Sequence, residues 1–189
     1  MIKTTQTTIE HIEVVCDRSY DQVTASLQEH LGSFADPVKF PAGASWAQIE
    51  KIIEGMLGNS GLSIFHKVEH GDLLSLLAGR PRRVSQYAIG NPLLAIRMFA
   101  PLRLAVYEDP AGKSVIACDR FTSFLARYQD PEIASTAKLV EQKVAALVAA
   151  VMGEGSNSIR HERIARDVDK KGKLRCAESL NPRLYPSMA

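Results

Sequence analysis

Cysteine is scarce in this sequence. There are three in 189 residues, Cys16, Cys118 and Cys176. An odd count without paired spacing is a poor disulfide framework, and no two are close enough to read as a zinc knuckle. No apolar run approaches the roughly 18 residues of a membrane span. The first ten residues are polar and threonine-rich and lack the apolar core of a secretory signal. A cytoplasmic protein with three free thiols is the expectation. Net charge is also small, +2 from 23 basic and 21 acidic residues. That balance argues against a dedicated nucleic-acid binder, which needs a strong basic patch. The chain contains no Gly-rich phosphate loop, no Gly-x-Ser-x-Gly elbow and no His-Glu-x-x-His pair. No internal repeat is visible.

What is present fits one α+β domain over residues 1–153 followed by a basic tail, 154–189. The apolar share is 46% and the charged share 23%, ordinary for a globular chain long enough to bury its own core. The tail holds eight Lys or Arg against five Asp or Glu, so the positive excess sits there. It has no strong period and reads as a segment that packs on a partner or stays mobile.

Alternation marks strands at 11–16, 62–70, 84–89, 102–108 and 114–119. Ser19 with Gln22, and Ser45 with Gln48, have the spacing of capping boxes. Behind them Val23, Leu27 and Leu31 form one apolar stripe, and Trp46, Ile49, Ile53 and Met56 another. Residues 71–79 are ambiguous between a short helix, capped by Asp72, and a strand. A short helix is expected near 122–128. The clearest element starts at Asp130, an N-cap, with Pro131 at the first helical position. Ile133, Ala137, Val140, Val144, Leu147 and Val151 then recur at helical spacing. That helix can lie across a whole sheet.

Three polar residues stand out as ligand-binding candidates. His70 closes a strand before Gly71 and is a titratable group at a strand end. Asn91, in Ile89-Gly90-Asn91-Pro92, either caps the next helix or presents its amide to an anion at that helix start. Arg103 lies in an otherwise apolar strand and is either solvated or in need of an acidic or ligand partner. His66 and His70 share a strand face but stand about 13 Å apart, too far for one metal ion. No metal or cofactor site is expected.

His70-Gly71, Ile89-Gly90-Asn91-Pro92, Met98, Pro101-Leu102-Arg103, Tyr107-Glu108-Asp109 and Gly112 together resemble the domain of unknown function 302 family. The resemblance runs roughly from Ile12 to Met152. It implies an antiparallel sheet gripped by a long C-terminal helix, a two-layer sandwich like TBP-like domains, and a tendency to form dimers. The family's recurrent polar positions fall on His70, Asn91 and Arg103. The helix near 45–57 and the tail are additions to the family's short form.

Two functions follow as expectations. The first is a small-molecule site, suited to an anion, in which His70, Asn91 and Arg103 converge in one cleft, with catalysis possible but no nucleophile evident. The alternative is a non-catalytic interaction module that works as a homodimer. A membrane is not expected as a partner, and nucleic acid is unlikely.

Overall fold

The computed structural model describes residues 4, 6–34, 38–95, 101–153 and 159–164. Along the chain come β1 (Ile9–Cys16), α1 (Tyr20–His30), β2 (Gly32–Ser33), α2 (Trp46–Glu54), β3 (Ser63–Glu69), α3 (Gly71–Ala78) and β4 (Val84–Gly90). Then follow α4 (Pro92–Ala95), β5 (Leu102–Glu108), β6 (Ser114–Asp119), α5 (Phe121–Leu125), a 3₁₀ turn (Ala126–Tyr128), α6 (Pro131–Met152) and β7 (Ile159–Ile164). The sheet order is β2-β3-β4-β5-β6-β1-β7, antiparallel except for the short β2–β3 pair.

Alternation in the strands creates one covered face. Cys16 of β1, Tyr87 and Ile89 of β4, Leu102, Leu104 and Val106 of β5, and Ile116 and Cys118 of β6 are buried together. The helices close over them with Val23 and Leu27 of α1 and Ala137, Val140, Val144, Leu147 and Val151 of α6. Residues at the intervening positions, such as Glu13, Arg103, Ala105 and Tyr107, lie on the opposite face. Asp130 caps α6 through Oδ1, which accepts from the N–H groups of Glu132 (2.8 Å) and Ile133 (3.2 Å). The Ser19/Gln22 and Ser45/Gln48 capping boxes both form. No described helix is long and apolar enough to cross a membrane.

Cys16 and Cys118 are buried free thiols, and burial pushes Cys118 up to about 11. Cys176 lies outside the described residues. The ambiguous segment 71–79 is helical, and His70 rather than Asp72 occupies its N-cap.

Two readings of the sequence need correction. The α2 stripe is not a core face: Ile53 alone of its residues is buried, and Trp46 is 56% exposed. Nine residues make only two and a half turns, with Ile53 buried and Ile49 and Ile52 half-buried. The segment after Gly153 also contains a strand. β7 pairs antiparallel with β1, Ile9 opposite Ile164 and Val14 opposite Ile159. Its sequence, IRHERI, has no apolar alternation, so the period-two signal that marks the other strands is missing here. The rest of the tail lies outside the described residues.

Gly32 and Gly58 bring two backbones together. A Cβ on either would collide with the other's main chain, so both positions are closed to any side chain. This contact seats the returning end of the α2 segment against the start of β2.

Leu147 is 1% exposed in the middle of the α6 stripe. Leu147→Ala should lower unfolding stability by about 2–5 kcal/mol, the ordinary range for a core leucine, in urea denaturation. A loss below about 1 kcal/mol would mean that α6 is not the lid of this core.

Candidate functional site

His70 and Asn91 flank opposite ends of one ladder. β3 and β4 run antiparallel, with Ser63 opposite Gly90 and Glu69 opposite Ser85. His70 follows Glu69, and Asn91 follows Gly90. Six strand steps separate these ends, roughly 20 Å. Arg103 stands on β5 opposite Ala88, exposed and nearer the Asn91 end. The three therefore do not share a cleft. The expectation failed because residues at strand ends share a rim only if they lie at the same end, and antiparallel pairing reverses one of the two.

Asn91 and His70 also have local roles. Asn91 is buried at 6% exposure, and both ends of its amide are used. Nδ2 donates to the Gly61 carbonyl and Oδ1 accepts from Leu93 N–H, each at 2.9 Å. It caps α4 and ties it to the turn before β3. The His70 N–H donates to Val84 O (2.9 Å), and its Nε2 lies 3.0 Å from Gln86 Oε1.

A different polar cluster lies at the start of α1. The Tyr20 hydroxyl meets Ser85 Oγ, and Ser85 donates to Glu69 Oε2 at 2.5 Å. Lys67 Nζ is 2.7 Å from Glu69 Oε1 and 5.4 Å from the Tyr87 ring centre. The Tyr87 hydroxyl is fully buried, makes no hydrogen bond of ordinary geometry with a described residue, and lies beside the Lys67 ammonium, which it helps to hold charged. Partial burial pushes the Glu69 carboxyl up, but hydrogen bonds from Lys67 and Ser85 outweigh it and hold the pKa below its ordinary value. The hydrogen bond to Glu69 raises Lys67, against the lowering effect of its partial burial. Alternation hid this cluster. A register shift between Ile64 and His66 puts Lys67 and Glu69 on the same face as Ile64, which simple period-two counting assigns to the other side.

On the other face of the sheet His11 Nδ1 lies 2.9 Å from Asp119 Oδ1, and Tyr107 donates to Glu13 at 2.5 Å. Among the described residues no group of three or more His, Cys, Asp or Glu could hold a metal ion.

The most unusual surface is α3. Leu73, Leu74, Leu76 and Leu77 are 61%, 37%, 82% and 77% exposed, and no residue of the helix is buried. Asp72 is exposed as well, while Ser75 turns inward. Ser75 Oγ donates to Gly71 O (2.6 Å) and accepts from Arg82 N–H (2.8 Å). The amphipathic pattern is thus inverted, with leucines outward. The strand that precedes α3 has an open outer edge. β2 covers β3 only at Ser63 and Ile64, and Phe34 N–H adds one bond to Ile64 O. From Phe65 to Glu69 no described strand pairs with the outer edge of β3.

Comparison with known proteins gives one family. The model of the Domain of unknown function DUF302 matches residues 38–151. The chain belongs to that family. Among solved structures it is similar to an uncharacterized conserved DUF302 protein from Bacillus stearothermophilus, with a TM-score of 0.52 and 16% identity. That likeness covers 75% of this chain and 97% of the other and concerns the fold. No curated protein matches this chain. The matched DUF302 segment holds His70, Asn91 and Arg103 as well as α3, β3 and the Ser85–Glu69–Lys67–Tyr87 part of the polar cluster.

If Asn91 is a tether, Asn91→Ala should cost about 1–3 kcal/mol by stranding the Gly61 carbonyl and a helix N–H. Arg103→Ala should stay within about 0.5 kcal/mol. Equal losses in thermal or urea unfolding would contradict this assignment. Glu69 adds a pH signature. Because its folded pKa is lowered, its contribution is complete above the ordinary glutamate range and is lost as pH falls through the lowered value. Glu69→Gln should therefore flatten the stability profile as pH falls through and below the ordinary glutamate range. A variant profile parallel to that of the parent would show that the Ser85 and Lys67 bonds do not act on this carboxylate.

Proposed function

We propose that this DUF302 domain is a non-catalytic interaction module that works as a homodimer. The observation that carries the proposal is the inverted helix α3, with four leucines turned to solvent and its serine turned to the chain. Single exposed leucines are ordinary, but a contiguous apolar patch marks an interaction surface. The open edge of β3, the strand that precedes it, adds backbone groups that another chain can pair. The reading also rests on what the polar candidates do: Asn91 spends its amide within the fold, and His70, Asn91 and Arg103 share no cleft. Two buried free thiols, Cys16 and Cys118, fit the reducing interior of a cell.

A second reading, a small-ligand site, has one observation in its favour. The buried Tyr87 hydroxyl makes no well-formed hydrogen bond with a described residue, and the Lys67 ammonium lies beside it. A polar ligand atom would satisfy that hydroxyl. Native mass spectrometry of the purified protein decides it: an adduct lost in Tyr87→Phe would favour the ligand, and a bare mass would remove its support.

The interface reading is checked with Leu76→Glu/Leu77→Glu. Both side chains are exposed, so the fold should stand while association is lost. Light scattering over a concentration series should show a dimer for the parent and a monomer for the variant. A parent that stays monomeric at high concentration, or a variant as dimeric as the parent, would reject the reading.

A further inference from the structure

From the geometry of β3 we infer the mode of that pairing: two copies join antiparallel along the open β3 edge, on a two-fold axis at Val68. This rests on the homodimer reading above and adds its register. His70 N–H donates inward to Val84 O, so by alternation the N–H and C=O groups of Lys67 and Glu69 point outward. A two-fold antiparallel pair matches outward residues with outward residues, which leaves three registers centred within the free part of the edge. Centring on Lys67 sets Lys67 against its own copy. Centring on Glu69 sets two glutamates together. Centring on Val68 sets Lys67 opposite Glu69 of the copy, twice, and gives four main-chain hydrogen bonds between them. Like charges directly opposite are destabilising and opposite charges stabilising, so the Val68 register is selected.

The same register brings the apolar parts together. Phe65 falls opposite Gly71 of the copy, where α3 begins. Phe65 already packs against Phe34, the rings tilted by 37° with centres 4.9 Å apart. Each leucine helix therefore starts beside the other protomer's aromatic pair, and the symmetry repeats the contact. A two-fold interface uses one patch on both subunits, and this patch carries its own complement: a charge of each sign, an aromatic pair at one end and a leucine helix at the other. The register also explains why α3 keeps its leucines outward, since their apolar partner lies on the second copy.

Charge-swapped full-length chains test the register. In Lys67→Glu every cross-strand pair becomes Glu–Glu, and in Glu69→Lys every pair becomes Lys–Lys. Each variant alone should dimerise roughly 10- to 100-fold more weakly at low salt, from reversal of two cross-strand pairs. An equimolar mixture should recover the parent's affinity, because the heterodimer restores both opposite-charge pairs. The internal Lys67–Glu69 pair stays broken in both chains, so recovery can arise only between molecules. Val68→Cys, placed in a Cys176→Ser background, adds a second readout. Cβ atoms of a non-hydrogen-bonded pair lie about 4.5–5.5 Å apart, near disulfide range, so mild oxidation should give a covalent dimer. If the leucine variant loses association but the mixture does not recover and Val68→Cys does not cross-link, the register is wrong while the interface stands. If the leucine variant keeps the parent's association, both proposals fall.

Discussion

The apolar stripe of α6 sets the terms for the rest of the molecule. Ala137, Val140, Val144, Leu147 and Val151 form a line of buried side chains along 22 residues, and every central strand must present its matching face to that line or to α1. β1, β4, β5 and β6 do so with alternating apolar residues. β3 lies towards the margin. On its covered side it carries Lys67 and Glu69, both exposed, because the helices do not extend over them. The same constraint that builds the core thus leaves one sheet margin polar on its face and open along its backbone.

At that margin the local chemistry is consistent. Glu69 gathers Ser85, and through it Tyr20, while also holding Lys67. These bonds fix the β3–β4 rungs next to the open edge and hold the start of α1 against β4. A rigid edge loses little freedom when it pairs, which favours association. α3 leaves from that edge at Gly71, where a Cβ would crowd the Arg82 carbonyl, so the helix is held close to the strand entering β4.

Much of this was legible in the sequence. The strands at 102–108 and 114–119 and the helix at 131–152 coincide with the observed elements, because each combines alternation or a 3.6 period with unambiguous stop signals such as Asp130-Pro131 and Gly112. What stayed hidden depends on pairing rather than on pattern. The bulge between Ile64 and His66 reverses the faces of β3, and nothing in the residue types announces it. The antiparallel β3–β4 ladder sends His70 and Asn91 to opposite ends, a distance no linear motif encodes. β7 pairs with β1 although its sequence, IRHERI, lacks the apolar alternation that marks the other strands. The leucines of 71–78 were visible, but apolar residues at helical spacing ordinarily mean core, and only coordinates reveal that they face outward.

The central claim is that β3 finds its missing strand in a second copy of the chain. Amide hydrogen exchange, followed at the N–H groups of Lys67 and Glu69 across a wide range of protein concentration, tests it most directly. Both should exchange quickly in dilute solution and become protected as concentration rises, while Leu104 and Ile116 in the central strands stay slow throughout. Rapid exchange at Lys67 and Glu69 at every concentration would contradict the claim.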